Sequence, residues 1–239
     1  QRTPRPSPGP APADPRESGV AEPAAFRLGA IPGATPGRWI DVWKERMPRT
    51  ALELVPLAVA DQRRALDDAE VDAALVRLPV DGDGLHVIPL YDEVPVVVCA
   101  KDSHLTAADE LEAVDLEGEV LIVPQDDVLG ILATPAPHGA GAPRGASGRA
   151  GPIPGTAEPR FDPPADTAEA IATVAAGVGI VVVPMSLARL HHRKDVEHRP
   201  LREGPVSTVA LAWVSDRTTP AVETFVGIVR GRTANSSRK

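Results

Sequence analysis

The stretch Ala172–Pro184, ATVAAGVGIVVVP, decides how the whole chain is read. Two glycines spaced G-x-G beside a run of valines invite a phosphate site. A nucleotide fingerprint, however, runs strand, glycines, helix, so that the phosphate meets the free N–H groups at the helix start. Here the order is reversed. An alanine-rich helical segment comes first, Gly177 stands where a helix needs a left-handed C-cap, and Gly179 turns the chain directly into a strand. The carbonyl end of a helix repels phosphate. The stretch is therefore a helix-to-strand junction.

Working outward, the same alternation recurs upstream. FRLGAI (26–31) reads as a strand. Thr35-Pro36 then caps a helix and fills its first position, and GRWIDVWKERM places Trp39, Ile40, Trp43 and Met47 at helical spacing until Pro48 ends it. ALELVPLAV (51–59) reads as a strand, DQRRALDDAE (61–70) as a short helix with Asp61 as N-cap, and VDAALVRLP (71–79) as a strand. This β-α-β-α-β order is the signature of a parallel sheet with helices on its faces. After the turn VDGDG (80–84) come the apolar runs LHVIPL and VPVVVCA, then EVLIVP (119–124). Asp166 with Glu169 makes a capping-box-like start to TAEAIATVAA. VALAWV (209–214) and a helix opened by Thr219-Pro220 complete the pattern.

Two segments break it. Residues 1–25 are rich in Pro, Ala and charge, and 134–164 is rich in Gly, Pro and Ala; both are too poor in large apolar side chains to bury a core, so a disordered tail and a flexible excursion are expected.

Composition narrows the function. The 239 residues are 43% hydrophobic with a formal net charge of −8, which argues against a body that grips nucleic acid through clustered Lys and Arg. No apolar run reaches membrane-spanning length and no secretory layout precedes the first strand, so a cytoplasmic location is expected. Cys99 is the single cysteine, which leaves no internal disulfide and no thiolate zinc site. It lies in an apolar run and is read as a small buried hydrophobe. His191, His192 and His198 fall in RLHHRKDVEHR, where adjacent histidines on a helix diverge; a solvated face is preferred to a metal site. Trp39 and Trp43, at i and i+4, are read as core or interface packing and not as a stacking platform for bases. No G-x-S-x-G elbow or metalloprotease motif occurs, no catalytic residue is assigned, and no cofactor is called for.

The junction VAAGVGIVVVP resembles a motif in the second lobe of the effector-binding domain of LysR-type transcriptional regulators. DDAEVDAALVRLP (67–79), with Asp72 ahead of its apolar run, is similar to the family's helix-to-strand passage. LYDEVPVVVCAKDSHLTAADELEAVDLEGEVLIVP is similar to its pass from lobe one to lobe two. The resemblance spans about Phe26 to Arg232, outside the low-complexity excursion. It implies an α/β fold of the type II periplasmic-binding-protein-like kind, with two lobes joined by two crossings near Cys99 and Trp213. Lobe one is then 26–98 plus 214–239, and lobe two 99–213. It also implies a small-molecule effector, an organic acid among the candidates, bound in the cleft, and a homodimer. DNA would be contacted only through a winged helix-turn-helix ahead of this domain. The chain opens on Gln1 and a Pro-rich run, so a fragment, a truncated relative or a stand-alone effector domain is expected. A transporter's solute-binding protein and an enzyme on the same fold are the rivals.

Candidate binding residues follow. The loop PGATPG (32–37), with Gly33, Ala34 and Thr35, precedes the first helix, so the free N–H groups around Thr35, Gly37 and Arg38 suit a carboxylate, with plain helix capping by Thr35 an equal reading. Arg77, at a strand terminus, is a guanidinium able to pair bidentately with an acid. Val59 and Ala60 match the family's loop after the second strand, and Pro124, Gln125, Asp166 and Thr167 would face the cleft from lobe two. Gly33 and Val59 stand where many family members carry hydroxyls, which leaves the effector's chemistry open.

Overall fold

The computed structural model describes residues 25–131 and 153–231. The Pro-rich tail expected over 1–25 lies outside them except for its last residue, as does 134–152 of the expected excursion.

The first sheet has strand order β2-β1-β3-β9-β4. Strands β1 (Phe26–Ala30), β2 (Leu52–Pro56) and β3 (Ala73–Arg77) are parallel and alternate with helices α1 (Gly37–Arg46) and α2 (Gln62–Asp67). Strand β9 (Ser207–Val214) runs antiparallel between β3 and β4 (Leu85–Glu93). The two-residue period of β3 shows how the sheet is covered. Ala73 and Leu75 pack with Trp43 of α1 and Phe225 of α5 (Pro220–Val229), whereas Ala74 and Val76 face Leu57 and Leu66 on the other side. Phe26 stacks on Trp43 with ring centroids 4.7 Å apart, so the tryptophan is core, as read.

Two local readings are corrected here. Thr35 does not cap α1, which starts at Gly37 with Pro36 as its flanking residue and no side-chain cap. Helix α2 is shorter than 61–70 because Ala69 turns left-handed (φ 55) and the amides of Glu70 and Val71 return to the Ala65 carbonyl.

The second sheet has order β6-β7-β5-β8. It comprises β5 (Pro95–Ala100), β6 (Leu121–Ile122), β7 (Ile180–Pro184) and β8 (Val196–Pro200). Helices α3 (Thr167–Ala175) and α4 (Met185–Leu190) lie against one face. On the other, Val97, Cys99 and Val182 pack with Leu105, Leu111 and Leu116 from the turns that follow β5. Among the described residues, none of the four buried clusters mixes residues from the two sheets. Each sheet therefore has its own core.

Strand β8 was hidden in a charged run: it is an edge strand whose Arg199 binds the carbonyls of Thr106 and Ala108. His198 thus lies on a strand, and the helix before it ends at Leu190. The chain leaves the first sheet after Glu93, earlier than Cys99, and returns by Ser207, ahead of Trp213. The reason is the β4–β9 ladder, which runs from Leu85↔Val214 to Glu93↔Ser207 and holds Trp213 inside the first sheet. Residues 153–164 are also not a free excursion. Ile153 is buried in the second core, and the Leu121 amide donates to the Ala157 carbonyl at 2.9 Å.

The glycine junction folds as read. Gly177 (φ 79) donates to the Val174 carbonyl at 2.9 Å, and Gly179 (φ 72) passes the chain into β7. Gly179 also lies against Val120: a Cβ there would overlap the Val120 carbonyl oxygen and sit 2.9 Å from the Val120 Cβ. At the start of α3 the Asp166 carboxylate accepts from Glu169 N at 2.8 Å, and the Glu169 carboxylate accepts from Ala165 N at 2.7 Å. Asp166→Ala is expected to cost about 1 kcal/mol, seen as a lower urea midpoint with an unchanged slope. Among the described residues, no helix is long and apolar enough to cross a membrane.

Candidate functional site

Because β1, β2 and β3 are parallel, their carboxyl ends meet at one edge of the first sheet. That edge gathers the Gly33–Thr35 loop, the turn at Val59 and Ala60, and Arg77. Their connections are explicit. The buried Gln62 side chain donates to the Arg77 carbonyl and accepts from the Arg77 amide, each at 2.9 Å, which ties the turn after β2 to the end of β3. The Arg77 guanidinium donates to the Pro32 carbonyl at 3.4 Å, at the foot of the first loop.

Arg77 is not an open clamp. Its side chain is 1% exposed and its Nη1 donates to the Glu93 carboxylate and to Ser207 Oγ. Glu93 is the last residue of β4 and Ser207 the first of β9, so this cluster fastens both crossings to the end of β3. The acid expected from a ligand is supplied internally. Arg77 Nε remains buried without a hydrogen-bond partner among the described residues.

Pro124, Gln125, Asp166 and Thr167 form a second group on the other sheet. The Gln125 amide donates to the Pro164 carbonyl at 2.9 Å, and Thr167 Oγ1 donates to Asp126 at 2.9 Å. Thr167 is thereby buried and spoken for, while Gln125 and Asp166 are exposed.

Between the sheets lies a cleft of about 510 Å³. From the expected set it takes Gly33, Ala34 and Thr35 alone; Val59, Ala60, Arg77, Pro124, Gln125, Asp166 and Thr167 are not on its wall. The rest of the lining was missed: Tyr91, Glu93 and Val94 at the first crossing, and Met185, Ser186, Arg189 and Leu190 on α4. The two halves meet closely. A Cβ on Gly33 (φ +84) would run into Ser186 Oγ and sit 2.9 Å from its Cβ, and Met185 N donates to the Val94 carbonyl at 2.9 Å. Glu93 had a readable signal, as the second of the acid pair Asp92-Glu93 that enters the apolar run VPVVVCA. Ser186 and Arg189 had none.

The electrostatics are simple. Glu93 is neutralised by Arg77, while Arg189 has no hydrogen bond or ion pair among the described residues. Partial burial and the Glu93 carboxylate push the Tyr91 phenol above its ordinary range, so it is a hydroxyl donor near neutral pH. Burial likewise pushes the Cys99 thiol up, in keeping with a packing role. Among the described residues, no group of three or more His, Cys, Asp or Glu could hold a metal ion.

Comparison with known proteins matches this architecture. The family model described as "LysR substrate binding domain" matches residues 22–142 and 158–234. The Hca operon transcriptional activator HcaR of Escherichia coli (strain K12) is 28% identical over 222 residues, which cover 90% of this chain and 70% of that protein. The reduced form of the OxyR regulatory domain from Pseudomonas aeruginosa superimposes with a TM-score of 0.61 at 24% identity, covering 87% of this chain and 96% of that one. The BenM effector binding domain with its effector benzoate does so with a TM-score of 0.64 at 16% identity, covering 90% and 95%.

Proposed function

The chain belongs to the LysR substrate binding domain family, and from that premise we propose that it senses a small molecule in the cleft between its two sheets and passes the change to transcription. The observation that supports this most is the pair of separate cores joined by two short crossings around a cleft. Such an arrangement has one soft coordinate, the angle between the sheets. A ligand touching both halves shifts that angle by its differential affinity for open and closed forms.

In this reading Gly33–Thr35, which line the cleft, contact the effector from the first sheet, with Arg77 beneath them. Val59, Ala60, Pro124, Gln125, Asp166 and Thr167, off the wall in this arrangement, reach it only as the sheets close. The halves correspond to two lobes. The domain works without catalysis, as a homodimer in the cytoplasm, and DNA is contacted by the family's winged helix-turn-helix. The transporter reading is set aside because a curated relative that matches 90% of this chain is a transcriptional activator.

The test is calorimetric titration with a panel of small organic acids, benzoate included, followed by small-angle scattering of any pair that binds. Saturable binding with a smaller radius of gyration is expected. Saturable binding with an unchanged radius would refute signalling by closure, and no binding across the panel would remove the effector role.

A further inference from the structure

We propose that the face of the second sheet turned away from α3 and α4 is a docking surface for a basic protein segment that carries an apolar side chain. Residues 101–119 cover that face with two short turns, 104–107 and 113–116, in place of a long helix. The turns leave a pocket of about 330 Å³ between them. Its floor is Leu105 and Leu111, both buried in the second core, and His104, Ala107, Ala108 and Asp115 complete the lining. Hydrogen bonds to β8 hold this shape. Arg199 donates to the Ala108 carbonyl at 2.7 Å and to the Thr106 carbonyl at 2.9 Å, and the Leu111 amide donates to the Pro200 carbonyl at 2.9 Å. The pocket is therefore formed before anything enters it, which lowers the ordering cost of binding.

The chemistry of the occupant follows from the rim. Seven acids stand against one lysine from Lys101 to Glu119, a net of −6 in a chain of formal charge −8 with histidine neutral. Little of this is balanced nearby. Arg202 pairs with Glu110 and Glu112 at 2.7 and 2.8 Å, and Arg199 is directed to backbone carbonyls. Asp102, Asp109 and Glu117 are exposed and have no ion pair among the described residues. Beside the pocket, in the turn 113–116, Val114 is 67% exposed, the highest value for a large apolar residue among those described.

Such a rim repels nucleic acid and anionic lipid, whose charges have its own sign. A small neutral molecule would leave the acids unused. A segment bearing Lys or Arg is drawn to them, and one apolar side chain from it fills the pocket and packs on Val114. The face lies across the second sheet from α4, which lines the cleft, so the proposal does not depend on the effector reading.

The experiment titrates the full chain into a fluorescently labelled short peptide of lysines with one central leucine, at about 50 mM salt, and follows anisotropy. Saturable binding is expected, with a dissociation constant on the order of 100 μM. The same peptide with alanine in place of leucine is expected to bind about fivefold more weakly, as is the leucine peptide to Asp109→Lys. Asp216→Lys makes the same charge change at an exposed position after β9 and is expected to leave binding unchanged. Equal affinity for the leucine and alanine peptides, equal weakening by Asp109→Lys and Asp216→Lys, or no binding overturns the proposal. Self-association of the chain that Asp109→Lys abolishes would assign the face to a second copy and overturn it as well.

Discussion

Glu93→Ala is expected to destabilise the fold by about 3–5 kcal/mol, the cost of leaving a buried charge without its partner. The Arg77 side chain is 1% exposed and that of Glu93 7%, so water cannot stand in for the missing carboxylate. Ser207 offers one neutral oxygen in its place. Arg77→Ala should cost a similar amount from the other side. The double replacement Arg77→Met with Glu93→Leu should recover most of the loss, since a buried pair exchanged for apolar groups of similar volume is often neutral or better. Urea unfolding of the three variants checks this. Single-variant losses below about 1 kcal/mol would mean that solvent reaches the guanidinium. Because Glu93 and Ser207 stand at the two crossings, the single variants are also expected to loosen the angle between the sheets, visible as a larger radius of gyration.

Gly179→Ala is expected to cost about 2–4 kcal/mol, whereas Gly177→Ala, two residues away, costs about 1 kcal/mol. Both residues are left-handed, with φ 72 and 79, so the conformational penalty is shared. The surroundings differ. A Cβ at Gly177 meets nothing within 4 Å, while one at Gly179 overlaps the Val120 carbonyl oxygen and lies 3.0 Å from its carbon. That carbonyl accepts the Ile180 amide at 2.8 Å, so it cannot retreat without loosening the start of β7. Thermal denaturation of the two variants reads the difference directly. Equal shifts in Tm would show that Val120 yields easily.

Much of the fold was legible because its signals are local. Reversed glycine order, Thr219-Pro220 and the Asp166–Glu169 spacing each specify a junction or a cap from a few residues, and the parallel β-α-β-α-β run follows from alternating periods. Strand β8 was illegible because edge strands carry polar and charged residues that look like a solvated helix face. The crossings were misplaced because both flanking strands are apolar, and sequence does not say which ladder a valine joins. The cleft fared worse. Arg77 was singled out by its place at a strand end, yet the identity of its partner depends on bringing residues 77, 93 and 207 together. Ser186 and Arg189 lie on a short helix whose facing surface is decided only when the sheets meet.

The position of β9 between β3 and β4 also dictates an order of events during synthesis. The centre of the first sheet is missing until residues 207–214 have left the ribosome, although β1, β2 and β3 emerge long before. The second sheet, whose strands all lie between residues 95 and 200, has every strand in hand by then. The half of the molecule that starts first is therefore the last to close, and its apolar faces are the stretch of nascent chain most in need of a chaperone.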